Sequence, residues 1–174
     1  MAYATDMKPQ LPSWITPEGI DLKRVPLESF IGQALSDDLA QFASACRLLG
    51  AIAHHGRNDA GIFLLGLLSH HRDDLRRLEH VAEALGAFPS ASAAAVLFDE
   101  LRRVKGSNST RGYLNCVVNA LQRFPADLIC EGFRELAADR SQSYRMRQRF
   151  EQIFWSLPAP SNPPWPNKPL EPTA

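Results

Sequence analysis

The stretch Val81-Ala82-Glu83-Ala84-Leu85-Gly86-Ala87-Phe88-Pro89 returns as Val117-Val118-Asn119-Ala120-Leu121-Gln122-Arg123-Phe124-Pro125, keeping Val, Ala, Leu, Phe and Pro in register. Phe150-Glu151-Gln152-Ile153-Phe154-Trp155-Ser156-Leu157-Pro158 is a third copy, with an apolar residue at each anchor and the closing Pro. A period of roughly 35 residues constrains the fold more than any other property of this chain, because it is about the length of one helical hairpin. Neither helix of such a pair buries its apolar face alone, so neighbouring copies must stack.

Helix signals fill the periods. Ser36-Asp37-Asp38 reads as an N-cap, followed by Leu39, Phe42, Cys46, Leu49 and Ala53 at three- and four-residue spacing. His54-His55-Gly56 closes that helix, with Gly supplying a left-handed exit. Asn58 or Asp59 caps the next, which ends at His70-His71. Asp73-Asp74 opens a helix built on Leu75, Leu78, Val81, Leu85 and Phe88, and Pro89 stops it. Its partner starts at Ser90 or Ser92 and carries Leu97, Phe98 and Leu101. A second pair copies the plan over roughly 110–138, with Phe98-Asp99-Glu100-Leu101 matched by Phe133-Arg134-Glu135-Leu136. A final helix is expected from about Ser141 to Leu157. Gly106-Ser107-Asn108-Ser109-Thr110 reads as a linker whose side chains cap the helix after it. Residues 1–35 hold Pro9, Pro12, Pro17 and Pro26, so they form an irregular segment, with a helix start at Thr16-Pro17-Glu18 and a short helix over Leu27–Leu35. No stretch alternates in the manner of a strand, and no sheet is expected. The Pro-rich residues 158–174 read as a disordered tail.

At 174 residues with 45% hydrophobic and 22% charged side chains, the chain has the size and composition of one ordinary globular domain. Its formal net charge of zero removes any global field towards nucleic acid or membrane. Cys46, Cys116 and Cys130 form no Cys-x-x-Cys pair and read as buried thiols in a reducing, cytoplasmic setting. No secretory signal or membrane-spanning run is present in the sequence.

Leu75-Arg76-Arg77, Val81-Ala82-Glu83-Ala84-Leu85-Gly86, Leu97 and Leu101 together resemble HEAT-type helical repeats of the short bacterial kind. Leu49-Gly50-Ala51 echoes Leu85-Gly86-Ala87 one copy earlier, whereas the copy at 109–138 places Gln122 where Gly86 stood. The resemblance covers residues 36–157. It implies an all-α, right-handed α-solenoid of about three HEAT-like hairpins plus a final helix, followed by an irregular Pro-rich C-terminal tail. It further implies that Ala-Leu-Gly lets the second helix of a pair pack closely on the first.

Arginine carries the functional expectation. Arg76 and Arg77 begin one first helix, Arg111 begins the next, and Arg145 and Arg149 share a face of the last. Stacking aligns them into a stripe suited to phosphates or to an acidic protein surface. HEAT-like DNA glycosylases bind DNA on such a surface, but Asp73, Asp74, Glu79 and Glu83 dilute the stripe here. HEAT-type hydroxylases hold a di-iron centre through His-Glu dipeptides, and this chain has only the reversed Glu79-His80. The paired His54-His55 and His70-His71 read as helix ends, and no metal or cofactor is expected. No Gly-x-Ser-x-Gly, Walker-type or dinucleotide motif is present, so no catalysis is expected. The sequence thus points to a protein-binding repeat module, contacting an acidic partner through Arg76, Arg77, Arg111, Arg145 and Arg149. A nucleic-acid-binding protein of the glycosylase kind is the alternative.

Overall fold

The helix boundaries follow the side chains that cap them. In the computed structural model, residues 12–158 are described, and the Pro-rich tail from 159 onwards, Trp165 included, lies outside that range. Asp38 accepts from the amides of Ala40 and Gln41 to open α2 (Leu39–His54), and Gly56 leaves that helix at φ 93° as the His-His-Gly sequence requires. Asp74 accepts from Arg76 and Arg77 to open α4 (Leu75–Leu85). Ser90 and Ser143 do the same for α5 (Ala91–Arg103) and α8 (Tyr144–Ser156). Between them lie α3 (Asn58–His70), α6 (Arg111–Leu121) and α7 (Ala126–Ala138), and α1 (Glu28–Ala34) precedes them all.

Two caps differ from expectation. Neither Asn58 nor Asp59 is the N-cap of α3. Arg57 holds that position, clamps Asp59, and donates to the carbonyls of Lys23 and Val25, tying the N-terminal segment to the helices. The Ser107–Thr110 hydroxyls give α6 no side-chain cap either. Thr110 Oγ1 turns back to the carbonyl of Lys105 and accepts from the amide of Ser107, so the loop closes on itself.

A short sheet also replaces the expected helix start at Thr16-Pro17-Glu18. Ile15–Thr16 (β1) and Gly19–Ile20 (β2) pair antiparallel, Ile15 opposite Ile20. Pro17-Glu18 is the turn, and Gly19 closes it at φ 131°, a conformation open to Gly but strained for other residues. Two-residue strands are too short to leave an alternating signature.

The remainder is helical, with α4 packed on α2, α3 and α6, α5 on α6 and α7, and α7 on α8. Leu49, Leu85 and Leu121, one from each first helix, are fully buried. Phe42, Phe98, Phe124, Phe133 and Phe150 are buried as their periodicity requires, while Phe63, Phe88 and Phe154 are half-buried against the same core. No helix among the described residues is long and apolar enough to cross a membrane.

The glycine of the repeat works differently from the resemblance. A Cβ on Gly50 would lie 2.8 Å from the carbonyl oxygen of Ala84, and one on Gly86 would lie 3.2 Å from Cα of Ala120. Each glycine therefore admits the first helix of the following copy (α4 onto α2, α6 onto α4), not the second helix of its own pair. Gly86 keeps a helical φ of −59°, so close approach, rather than a left-handed cap, is its purpose.

Candidate functional site

That tight stacking stops after α6. Gln122, in the position of Gly50 and Gly86, is exposed, and α8 packs chiefly along α7. Phe150 meets Phe133 across that contact, and the side-chain amide of Gln142 ties the approach to α8 to the carbonyl of Leu101. Between α6 and α8 a cleft of 680 Å³ remains, within the range of ligand sites. The loop 106–108 and Arg111, Leu114 and Asn115 form one side, and Ser143, Arg145, Met146, Gln148, Arg149 and Gln152 the other.

Three of the five expected arginines converge there. Arg149 donates to Asn115 Oδ1 across the cleft, and Arg111 donates to Asn108 Oδ1 at 2.9 Å. Arg145 is exposed. None of the three belongs to the ion pairs of the described residues, and no Asp or Glu lines the cleft. Arg57, Arg77, Arg102, Arg103 and Arg134 do face carboxylates. A guanidinium held by a neutral amide keeps its full charge and a fixed orientation, which prepares it for an incoming oxyanion.

The other two arginines lie elsewhere. Arg77 is spent on the fold. Its side chain is 12% exposed, donates to the carbonyls of Ser36 and Asp37 at 2.8 Å each, pairs with Asp74, and lies 4.8 Å over the Phe42 ring. Arg76 is exposed on α4 but does not line the cleft. Between α4 and α6 the continuous stripe is broken by Glu79, whose carboxylate packs against Gly112.

Sequence reasoning missed a second charged cluster behind the cleft. Glu100 is 7% exposed, gripped by Arg103 through both oxygens and reached by the hydroxyl of the fully buried Tyr113 at 2.7 Å. Burial, then the bond to Glu100, pushes the Tyr113 phenol far up, so it stays a neutral donor. The available signal was Tyr113 itself, because a tyrosine on a core face needs a partner for its hydroxyl. This cluster holds α5 to α6 and so fixes the helix that presents Arg111.

A second concavity of 530 Å³ runs past the ends of α2, α4 and α6, lined by Arg47, His54, His55, Glu83 and Arg123 among small residues. It mixes both charge signs. His54 there meets the carbonyl of Ala87 at 3.2 Å. His71 stands edge-on to Phe42 at 5.1 Å with its Nε2 buried and unpaired, and burial, then Arg77 and His70, pushes its pKa down. Among the described residues no group of three or more His, Cys, Asp or Glu side chains could hold a metal ion. Cys46 is fully buried and its thiol is pushed up to about 12, whereas Cys116 and Cys130 are only half-buried. Compared with protein-family models, curated proteins and solved structures, the chain matches none.

Proposed function

We propose that this protein is a non-catalytic HEAT-like repeat module of the α-solenoid kind, and that it binds the acidic surface of another protein. One observation carries the reading: Arg111, Arg145 and Arg149 share a cleft with no carboxylate in its wall. Stacked helices present a rigid surface on which a few anchors supply most of the affinity. Two of these three anchors are already oriented by asparagine, which lowers the ordering cost on binding. The repeated Gly50–Ala84 and Gly86–Ala120 contacts support a stacked helical repeat, since equivalent residues meet in successive copies.

The test is affinity capture from the source cell's lysate, with and without nuclease, comparing the native chain with R111E/R145E. A stoichiometric protein that survives nuclease and is lost from the variant supports the reading. A partner set unchanged in the variant refutes it, and partners that vanish with nuclease shift the site to nucleic acid.

A further inference from the structure

Arginines without a carboxylate partner in the cleft favour an anionic ligand, and the remaining atoms of its wall narrow which anion. A guanidinium can only donate, so Arg111 and Arg149 engage the carbonyl oxygens of Asn108 and Asn115 and leave the amide nitrogens facing other partners. Each asparagine then has its NH₂ group to donate and a second lone pair on its oxygen. The Gln148 amide is turned the other way. Its Nε2 donates to the Tyr144 hydroxyl at 2.7 Å, leaving its carbonyl oxygen as an acceptor. Leu114 and Met146 add apolar surface to the same cleft. The wall therefore combines cationic and neutral donors, a neutral acceptor and apolar contacts.

We infer that the α6/α8 cleft takes an extended, carboxylate-rich peptide segment. Glutamate or aspartate side chains meet Arg111, Arg145 and Arg149, and peptide carbonyls meet the Asn108 and Asn115 amides. A peptide N–H meets the carbonyl of Gln148, and side-chain methylenes lie on Leu114 and Met146. A DNA sugar-phosphate backbone has no donor for Gln148, and no aromatic residue lines the cleft to stack a base. Nor does the positive surface continue as a track, because Glu79 packs beside the start of α6. That the segment comes from another protein rests on the interaction-module reading. The ligand chemistry does not.

The full chain would be titrated into a fluorescein-labelled alternating Glu-Ala peptide, its Gln-Ala counterpart and an oligo-dT of equal length, followed by fluorescence anisotropy at 0.15 M salt. Saturable binding of the Glu-Ala peptide is expected, with no saturable binding of the Gln-Ala peptide. R111E/R145E should weaken the Glu-Ala peptide by about tenfold or more, since both substitutions set like charges against it. R47E/R123E makes the same change in net charge at exposed residues outside the cleft and should stay within about twofold. R145E alone, at an exposed side chain outside the ion pairs of the described residues, provides the same readout should the double variant unfold. The inference is overturned by absence of peptide binding, by equal weakening in both double variants, or by tighter binding of oligo-dT through the same arginines. Peptide binding that behaves as expected, alongside lysate capture that yields no protein lost in R111E/R145E, would sink the interaction-module reading while leaving the site intact.

Discussion

Replacing Gly50 by Ala tests the contact on which the stacking rests. The added methyl would sit 2.8 Å from a backbone oxygen, that of Ala84, which cannot swing aside as a side chain does. Overpacking of this kind costs about 1–3 kcal/mol. Alanine returns close to 1 kcal/mol through its better helix propensity, so the net loss is about 0–2 kcal/mol. Gly66 is the internal control. It lies inside α3, exposed, with nothing within 4 Å of its Cβ position. Gly66→Ala should therefore stabilise by about 0.8–1 kcal/mol, from propensity alone. Gly86→Ala, with 3.2 Å to Ala120, should fall between the two. Thermal unfolding by circular dichroism separates them, since 1 kcal/mol moves Tm by about 2–4 °C at this chain length. If Gly50→Ala raises Tm as much as Gly66→Ala, α4 does not approach α2 as described, and the account of the repeat glycine is wrong.

Arg77→Ala should lower stability by about 1.5–3 kcal/mol in urea unfolding, through its two charged hydrogen bonds to Ser36 and Asp37, and leave peptide binding in the α6/α8 cleft unchanged. A loss of binding without a loss of stability would return Arg77 to the binding surface. Tyr113→Phe should cost about 1.5–3 kcal/mol, because buried Glu100 loses one of its donors. In a double-mutant cycle with Glu100→Gln the two effects should be non-additive, and simple additivity would contradict the contact. His71 predicts a pH dependence of defined sign. Its pKa is pushed below the ordinary 6.5 on folding, so the unfolded chain takes up the proton first. Its contribution is intact above pH 6.5 and is lost as pH falls through the lower folded value. His71→Gln should flatten that part of the stability profile, and an unchanged slope would show that another group titrates there.

The repeat and its caps were readable because both are local. Asp38, Asp74 and Ser90 act within three residues of themselves, and the buried phenylalanines follow a helical period. The misreadings at Thr16–Glu18 and at the caps of α3 and α6 are local, but those that bear on the site involve long side chains reaching across copies. Arg77 sits next to Arg76, a cationic residue that faces solvent, and only its approach to carbonyls in the turn before α2 reveals it as structural. Glu100 and Glu135 occupy equivalent positions of the repeat, yet Glu100 is buried against Tyr113 while Glu135 is exposed and pairs with Arg102. No periodicity distinguishes these two glutamates. The difference lies in which residue the next helix places opposite them.

One register position, followed through the copies, accounts for where the cleft opens. It holds Gly50, Gly86, Gln122 and Trp155 in turn. The two glycines are buried because the following first helix sets an alanine against each of them. Gln122 is exposed, and Trp155 is 76% exposed. Glycine stands where a helix must approach, and a larger residue stands where none does. The change from Gly86 to Gln122 marks the point at which close stacking ends, and α8 settles along α7 instead of closing on α6. The polar residues of α6 and α8 that would otherwise face each other are left open to solvent as the two walls of a cleft. The arginines at 111, 145 and 149 thus share one cleft because the repeat loses its glycine one copy before it ends.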